Sequence, residues 1–124
     1  MSDVRVIKPE DRADTVQTAG MTREEAVTGP GFWSGMATAE PGTVSGWHHH
    51  GDHDSVVYVA SGRFRVVYGP GGKEAAEAAA GDFMLIPKRT VHQEGNPGGE
   101  TSHLVVVRVG TGEVVINVDG PDPS

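Results

Sequence analysis

The chain contains no cysteine. Disulfides are therefore excluded, and so are thiolate metal sites and cysteine nucleophiles. Long apolar runs are missing too. No stretch approaches the ~20 apolar residues of a membrane span, and the segment beginning Met1-Ser2-Asp3-Val4-Arg5 lacks the apolar core of a signal peptide. The expectation is a soluble, cytoplasmic protein with no membrane partner. Basic residues are few, 10 Lys and Arg against 17 Asp and Glu, giving a formal net charge of −7. They are scattered, so no patch of them can track a phosphate backbone, and nucleic acid is not an expected partner.

What is present is glycine, 18 residues in 124, with 8 prolines. Such a supply suits many turns between short strands. Turn signals recur from Phe32 onward, among them Pro41-Gly42, Gly51-Asp52, Ser61-Gly62 and Gly69-Pro70-Gly71-Gly72. They separate strand candidates at residues 32–39, 44–50, 55–60, 63–68, 83–86, 91–93, 103–109 and 114–118. Short strands at roughly 8–12-residue spacing predict an all-β sandwich or barrel. Residues 73–80 are rich in Glu and Ala, which favour helix by propensity. They lie between two strands with little room for a helix, so a strand is predicted there also. The β-branched run at Val4, Val6 and Ile7 is expected to add a strand at a sheet edge. Thr22 with Glu25 reads as a short capping box, but 22–27 is too short to assign as a helix and stays ambiguous. The domain reading is an N-terminal arm with an edge strand over 1–31, a barrel over 32–118 and a tail over 119–124.

Four of the six histidines fall between His48 and His53. Strand side chains alternate faces, so His48 and His50 share a face, roughly 6.6–6.8 Å apart along the strand. Both rings can reach one ion at about 2.0–2.1 Å. His49 points away with Trp47. A third ligand must come from another strand, and His92 is the natural candidate.

The spacing of these residues resembles the cupin family. Gly42, His48, His50, Ser55 and Gly62 follow the first cupin motif, G-x5-H-x-H-x3,4-E-x6-G, with serine in place of its glutamate. Gly81, Pro87, Arg89, His92 and Asn96 follow the second, G-x5-P-x-G-x2-H-x3-N, with arginine in place of its glycine. The resemblance implies a double-stranded β-helix, a jelly-roll-like barrel, often dimeric, with a metal inside one end. His48 and His50 would ligate from one strand and His92 from another. Gly42, Gly62 and Gly81 would sit at reversals that need φ > 0. The motif's own glutamate ligand is lost at Ser55. Three candidates for a fourth ligand or a supporting group therefore remain, His53, Asp54 and Ser55.

Three imidazoles suit Fe, Mn, Ni, Cu or Zn as a divalent ion, and open positions on such an ion admit a small molecule or dioxygen. The functional expectation is a metal-dependent enzyme on a small organic substrate, an oxygenase or a non-redox isomerase, cyclase or lyase. The alternative is a non-catalytic module that binds metal or a small molecule. His103 shares parity with Val105 and Val107, and would approach the pocket if that face is interior. Arg65 and Arg108 are read as solvent-facing residues or as anchors for an anionic substrate. A homodimer is expected, because the strand at residues 4–7 finds no obvious partner in its own barrel and edges are usually covered.

Overall fold

The structure, a computed structural model, describes residues 3–15 and 20–121. Residues 1–2 of the arm and 122–124 of the tail lie outside it. The described residues form eleven strands and two short 3₁₀ turns, Pro9–Asp11 and Pro70–Gly72, with no α-helix among them. The strands are β1 (Ala13–Asp14), β2 (Met21–Gly29), β3 (Phe32–Ala39), β4 (His48–His49), β5 (Asp54–Ser61), β6 (Arg63–Tyr68), β7 (Glu74–Ala79), β8 (Phe83–Ile86), β9 (His92–Gly95), β10 (Ser102–Val109) and β11 (Ile116–Asn117). They build two antiparallel sheets, ordered β1-β2-β3-β10-β5-β8 and β11-β4-β9-β6-β7. This is the jelly-roll-like barrel that the family resemblance implies, within the all-β class that the turn rhythm predicts.

Alternation sets the interior. Along β10, Ser102, Leu104, Val106 and Arg108 are buried while His103, Val105 and Val109 are exposed. The register carries each interior position across the sheet. Leu104 stands between Ala37 of β3 and Val59 of β5, and Val106 between Gly35 and Val57. With Phe64 and Val66 from the facing sheet these residues form the apolar core. Near the other end of the same sheet the row Trp33–Arg108–Ser55–Ile86 turns polar.

Gly42, Gly62 and Gly81 all take positive φ. At Gly62, φ is +84° and a Cβ would stand 2.4 Å from Ser102 Oγ, so the β5–β6 reversal admits no other residue without movement. Asn96, the last residue of the second motif, is buried and donates to the carbonyls of Ala39 and Glu100. It ties the loop after β9 back onto β3.

Two local expectations are corrected and one open segment is settled. Residues 4–7 form no strand, and Val4 and Val6 are 97% and 77% exposed. The run is too short and too exposed to gain burial from pairing. Residues 22–27 lie inside β2, whose partner β3 runs alongside it from Met21↔Ala39 to Gly29↔Phe32 with a bulge between Glu25 and Thr28. Pairing wins over a local capping signal. Of residues 44–50 only His48–His49 is regular strand, although Val44 bridges Gly95. By contrast residues 74–79 are strand despite their Glu/Ala composition, paired along their length with β6.

Candidate metal centre

The site is built where β4 and β9 meet. His48 lies directly opposite His92 in the register, so both side chains enter the barrel from the same face. His50 follows two residues after His48, and Glu94 two residues after His92, on those same faces. The loop before β4 is fastened to β9 around Glu94. Ser45 N donates to Glu94 O at 2.7 Å, and Glu94 N donates to Ser45 Oγ at 2.9 Å. His48, His50, His92 and Glu94 are all buried, and one potential ligand atom from each lies within 4.8 Å of every other.

Each ring is oriented by a backbone carbonyl. Nδ1 of His48 lies 3.1 Å from Gly46 O, Nδ1 of His50 2.6 Å from Val114 O, and Nδ1 of His92 2.8 Å from Thr90 O. A carbonyl can only accept, so in all three rings Nδ1 carries the proton and Nε2 of the neutral ring is a bare lone pair. The three Nε2 atoms converge on one oxygen, Glu94 Oε1, at 3.0, 3.5 and 2.9 Å for His48, His50 and His92. Lone pairs facing a carboxylate oxygen are held together only by a cation or by protons between them.

Protons are disfavoured at one position. Burial pushes His50 down from 6.5 to about 4, against the opposing pull of Glu94, and the Arg108 charge adds to the lowering. Its Nε2 has no hydrogen-bond partner. For Glu94, burial alone would raise the carboxyl. The contacts with His48, His50 and His92 and the Arg23 charge outweigh it and hold the group well below the ordinary carboxylate range. Arg23, itself buried, reaches Glu94 Oε2 at 3.4 Å. Three imidazoles and one carboxylate, convergent and without an internal donor at His50, fit a divalent transition metal. The donor set therefore passes the test that a metal site imposes.

The three predicted histidines come together, and His49 does not join them. Its Nδ1 accepts from Gly51 N on the other side of the strand. The fourth member of the cluster is Glu94 rather than any of the candidates at the turn. His53 is buried, but its Nδ1 is tied to His50 O at 3.0 Å. Asp54 is exposed and accepts from Lys88 N. Ser55 is interior, 1% exposed, and its hydroxyl has no partner. It enters from β5 in the other sheet and is not part of the cluster. Glu94 was signalled in the sequence by parity alone, two residues beyond His92 on one strand. The predicted strand over 91–93 stopped one residue short of it. His103 is exposed, because the interior face of β10 is the one carrying Leu104 and Arg108. Arg108 is buried and Arg65 exposed.

A two-sheet antiparallel barrel with three histidines and a glutamate convergent inside it defines a metal-site β-barrel of jelly-roll type. The family described as "Cupin domain" matches residues 35–108, and the chain belongs to the cupin family. A curated relative, the uncharacterized protein YdbB of Bacillus subtilis (strain 168), is 43% identical over 47 residues. That match covers 38% of this chain, and the chain spans only 40% of the relative's length. Among solved structures, KdgF from Halomonas sp. superposes with a TM-score of 0.68 at 19% identity, covering 86% of this chain and 96% of that one. Oxalate decarboxylase of Bacillus subtilis, whose Mn(II) centres have been studied, gives 0.71 at 20% identity, covering 86% and 30%. The cupin domain of Schizosaccharomyces pombe Cnp3 gives 0.67 at 12%, covering 78% and 66%. At such identities the likeness is one of fold.

Proposed function

We propose that the protein is a metal-dependent cupin enzyme. His48, His50, His92 and Glu94 hold one divalent ion, and a small organic molecule is its substrate. The observation that carries this is the set of three Nε2 lone pairs, each fixed by a backbone carbonyl at Nδ1, around one carboxylate oxygen. The mixed imidazole and carboxylate set favours an octahedral Mn(II) or Fe(II) over a soft-ligand metal. The Mn(II) centres of oxalate decarboxylase, a neighbour in fold, support the same choice. A bound ion with open positions supplies Lewis acidity, or activates water or dioxygen. The chain's own residues orient the ligand rings through Gly46, Thr90 and Val114 and keep bulk water away by burying all four ligands. Metal analysis of protein purified from its native host tests the reading. One equivalent of Mn or Fe, lost in the Glu94→Ala variant, is the expected result. Metal-free protein that takes up no divalent ion would overturn it. Catalysis is then separated from mere binding by screening the loaded protein for turnover.

We further propose a homodimer that pairs through the outer face of the larger sheet. The outward rows Val105–Tyr58–Phe83 and Val107–Val56–Leu85 are uncharged and contiguous, with Phe83 72% and Leu85 63% exposed. A two-fold pairing of this face with itself would cover it. Sedimentation at micromolar concentration should give twice the chain mass, and Leu85→Lys should halve it.

A further inference from the structure

The buried row beside the metal cluster contains polar atoms that nothing satisfies. Arg108 is 3% exposed, yet its Nε and Nη1 have no hydrogen-bond partner. Its guanidinium lies over the Trp33 ring, 4.9 Å from the centroid. Ser55, directly opposite Arg108 in the register, is 1% exposed with an unpartnered hydroxyl. Two neighbouring strands thus present unused donors to the same interior.

An orphaned buried donor of this kind is costly, and more so when charged. Burial pushes Arg108 down only to about 10, so the group stays cationic. Arg108 and Ser55 thus leave this part of the interior with donors that lack acceptors. Room exists beside the guanidinium, in a cavity of about 20 Å³ lined by Thr15, Arg23, Trp33, Arg108, Val114 and Val115. That volume takes about one water-sized atom, such as a single oxygen of a larger polar group. Val114 is the residue whose carbonyl orients His50, so this space adjoins the ligand shell.

We propose that Arg108, with Ser55, seats a carboxylate of the molecule on which the metal centre acts, making the substrate class a small organic acid. This deepens the function proposed above and rests on it for the ligand's second contact, at the ion. A guanidinium offers a planar fork that matches both carboxylate oxygens, and Trp33 fixes the plane of that fork. The Ser55 hydroxyl donates to one of the same oxygens.

The test is calorimetric titration of the full chain, metal-loaded and metal-free, with malonate, acetate and acetamide, the last a neutral isostere of acetate. Metal content is measured on every sample. Wild type should bind malonate and acetate but not acetamide. Arg108→Met should bind malonate at least tenfold more weakly at unchanged metal content. Malonate should raise the Tm of wild type and leave that of the variant unmoved. The variant's own Tm without ligand should equal or exceed that of wild type, because a buried charge whose Nε and Nη1 have no acceptor has been removed. Equal malonate binding by the two proteins would overturn the proposal, as would acetamide binding as well as acetate, or no anion binding by wild type. Should Arg108→Met fail to fold, Arg108→Lys and Ser55→Ala carry the test. Weaker malonate binding at full metal content supports the assignment, and unchanged binding refutes it. A protein that takes up no metal but binds malonate through Arg108 would sink the metal reading and leave only the carboxylate seat at Arg108 and Ser55 standing.

Discussion

At the scale of single residues, the departures from the family motifs carry the information. Arg89 stands where the second motif has glycine, and it keeps the glycine's conformation, with φ +59°. Its amide donates to Gly51 O at 2.9 Å and its side chain reaches Asp52 at 2.8 Å. That ion pair is well exposed, so it contributes little. A left-handed non-glycine residue costs about 1–2 kcal/mol. Arg89→Gly should therefore be more stable than Arg89→Ala by about 1 kcal/mol, the reverse of the usual order in regular structure. Chemical denaturation of the two variants measures it. Ser55 is the second departure. The motif's carboxylate is gone from β5, and Glu94 supplies one from β9. Replacing Glu94 by Gln should lower metal affinity by more than the roughly 10–100-fold typical of a lost supporting contact, as read by competition with a chelator.

At the scale of elements, alternation decides which histidine matters. His48, His50 and His92 converge while His49 faces away on the same strand. Alanine at any of the three should sharply reduce metal loading, and His49→Ala should leave it intact. Equal losses at His48 and His49 would mean that the faces are misassigned. This pattern was legible in the sequence because it depends only on a period of two and on motif spacing. The strand rhythm was legible for the same reason, and β3, β6 and β8 coincide with their predicted spans. What escaped were features set by long-range pairing. The interior face of β10 could not be chosen from parity alone, because Val105 and Val107 look as apolar as Leu104 and Val106. The choice depends on β3 and β5 flanking the strand, and it turned His103 outward and Arg108 inward. Glu94 was marked only by its parity with His92, because the extension of β9 to Gly95 depends on its pairing with β6.

At the scale of the whole molecule, the metal site and the core are separate parts of one barrel. The apolar core runs through Ala37, Val59, Phe64, Val66 and Leu104 and contains none of the clustered ligands. The sheets are closed by backbone pairing that needs no ion. Metal-free protein should consequently retain its β-sheet circular dichroism and unfold cooperatively, at a lower Tm than the loaded form. Acid should act on both forms, and its sign follows from His50. Burial lowers that ring from 6.5 to about 4 in the folded chain. Between those values the unfolded chain binds a proton that the folded chain refuses, so stability rises with pH across the window. The contribution is complete above about pH 6.5 and is lost as pH falls toward 4. It amounts to roughly 3 kcal/mol, at 1.36 kcal/mol per pKa unit. Glu94, also held low, adds a loss of the same sign at still lower pH. In the loaded protein protons compete with the ion for the same Nε2 atoms, so metal release should begin within this window. Denaturant titrations of the metal-free protein from pH 7 to pH 4 should show the midpoint falling as the solution is acidified. His50→Gln, which cannot titrate, should flatten that dependence between about pH 6.5 and 4. A midpoint that stayed level across this range in wild type would mean that His50 is not held neutral by burial.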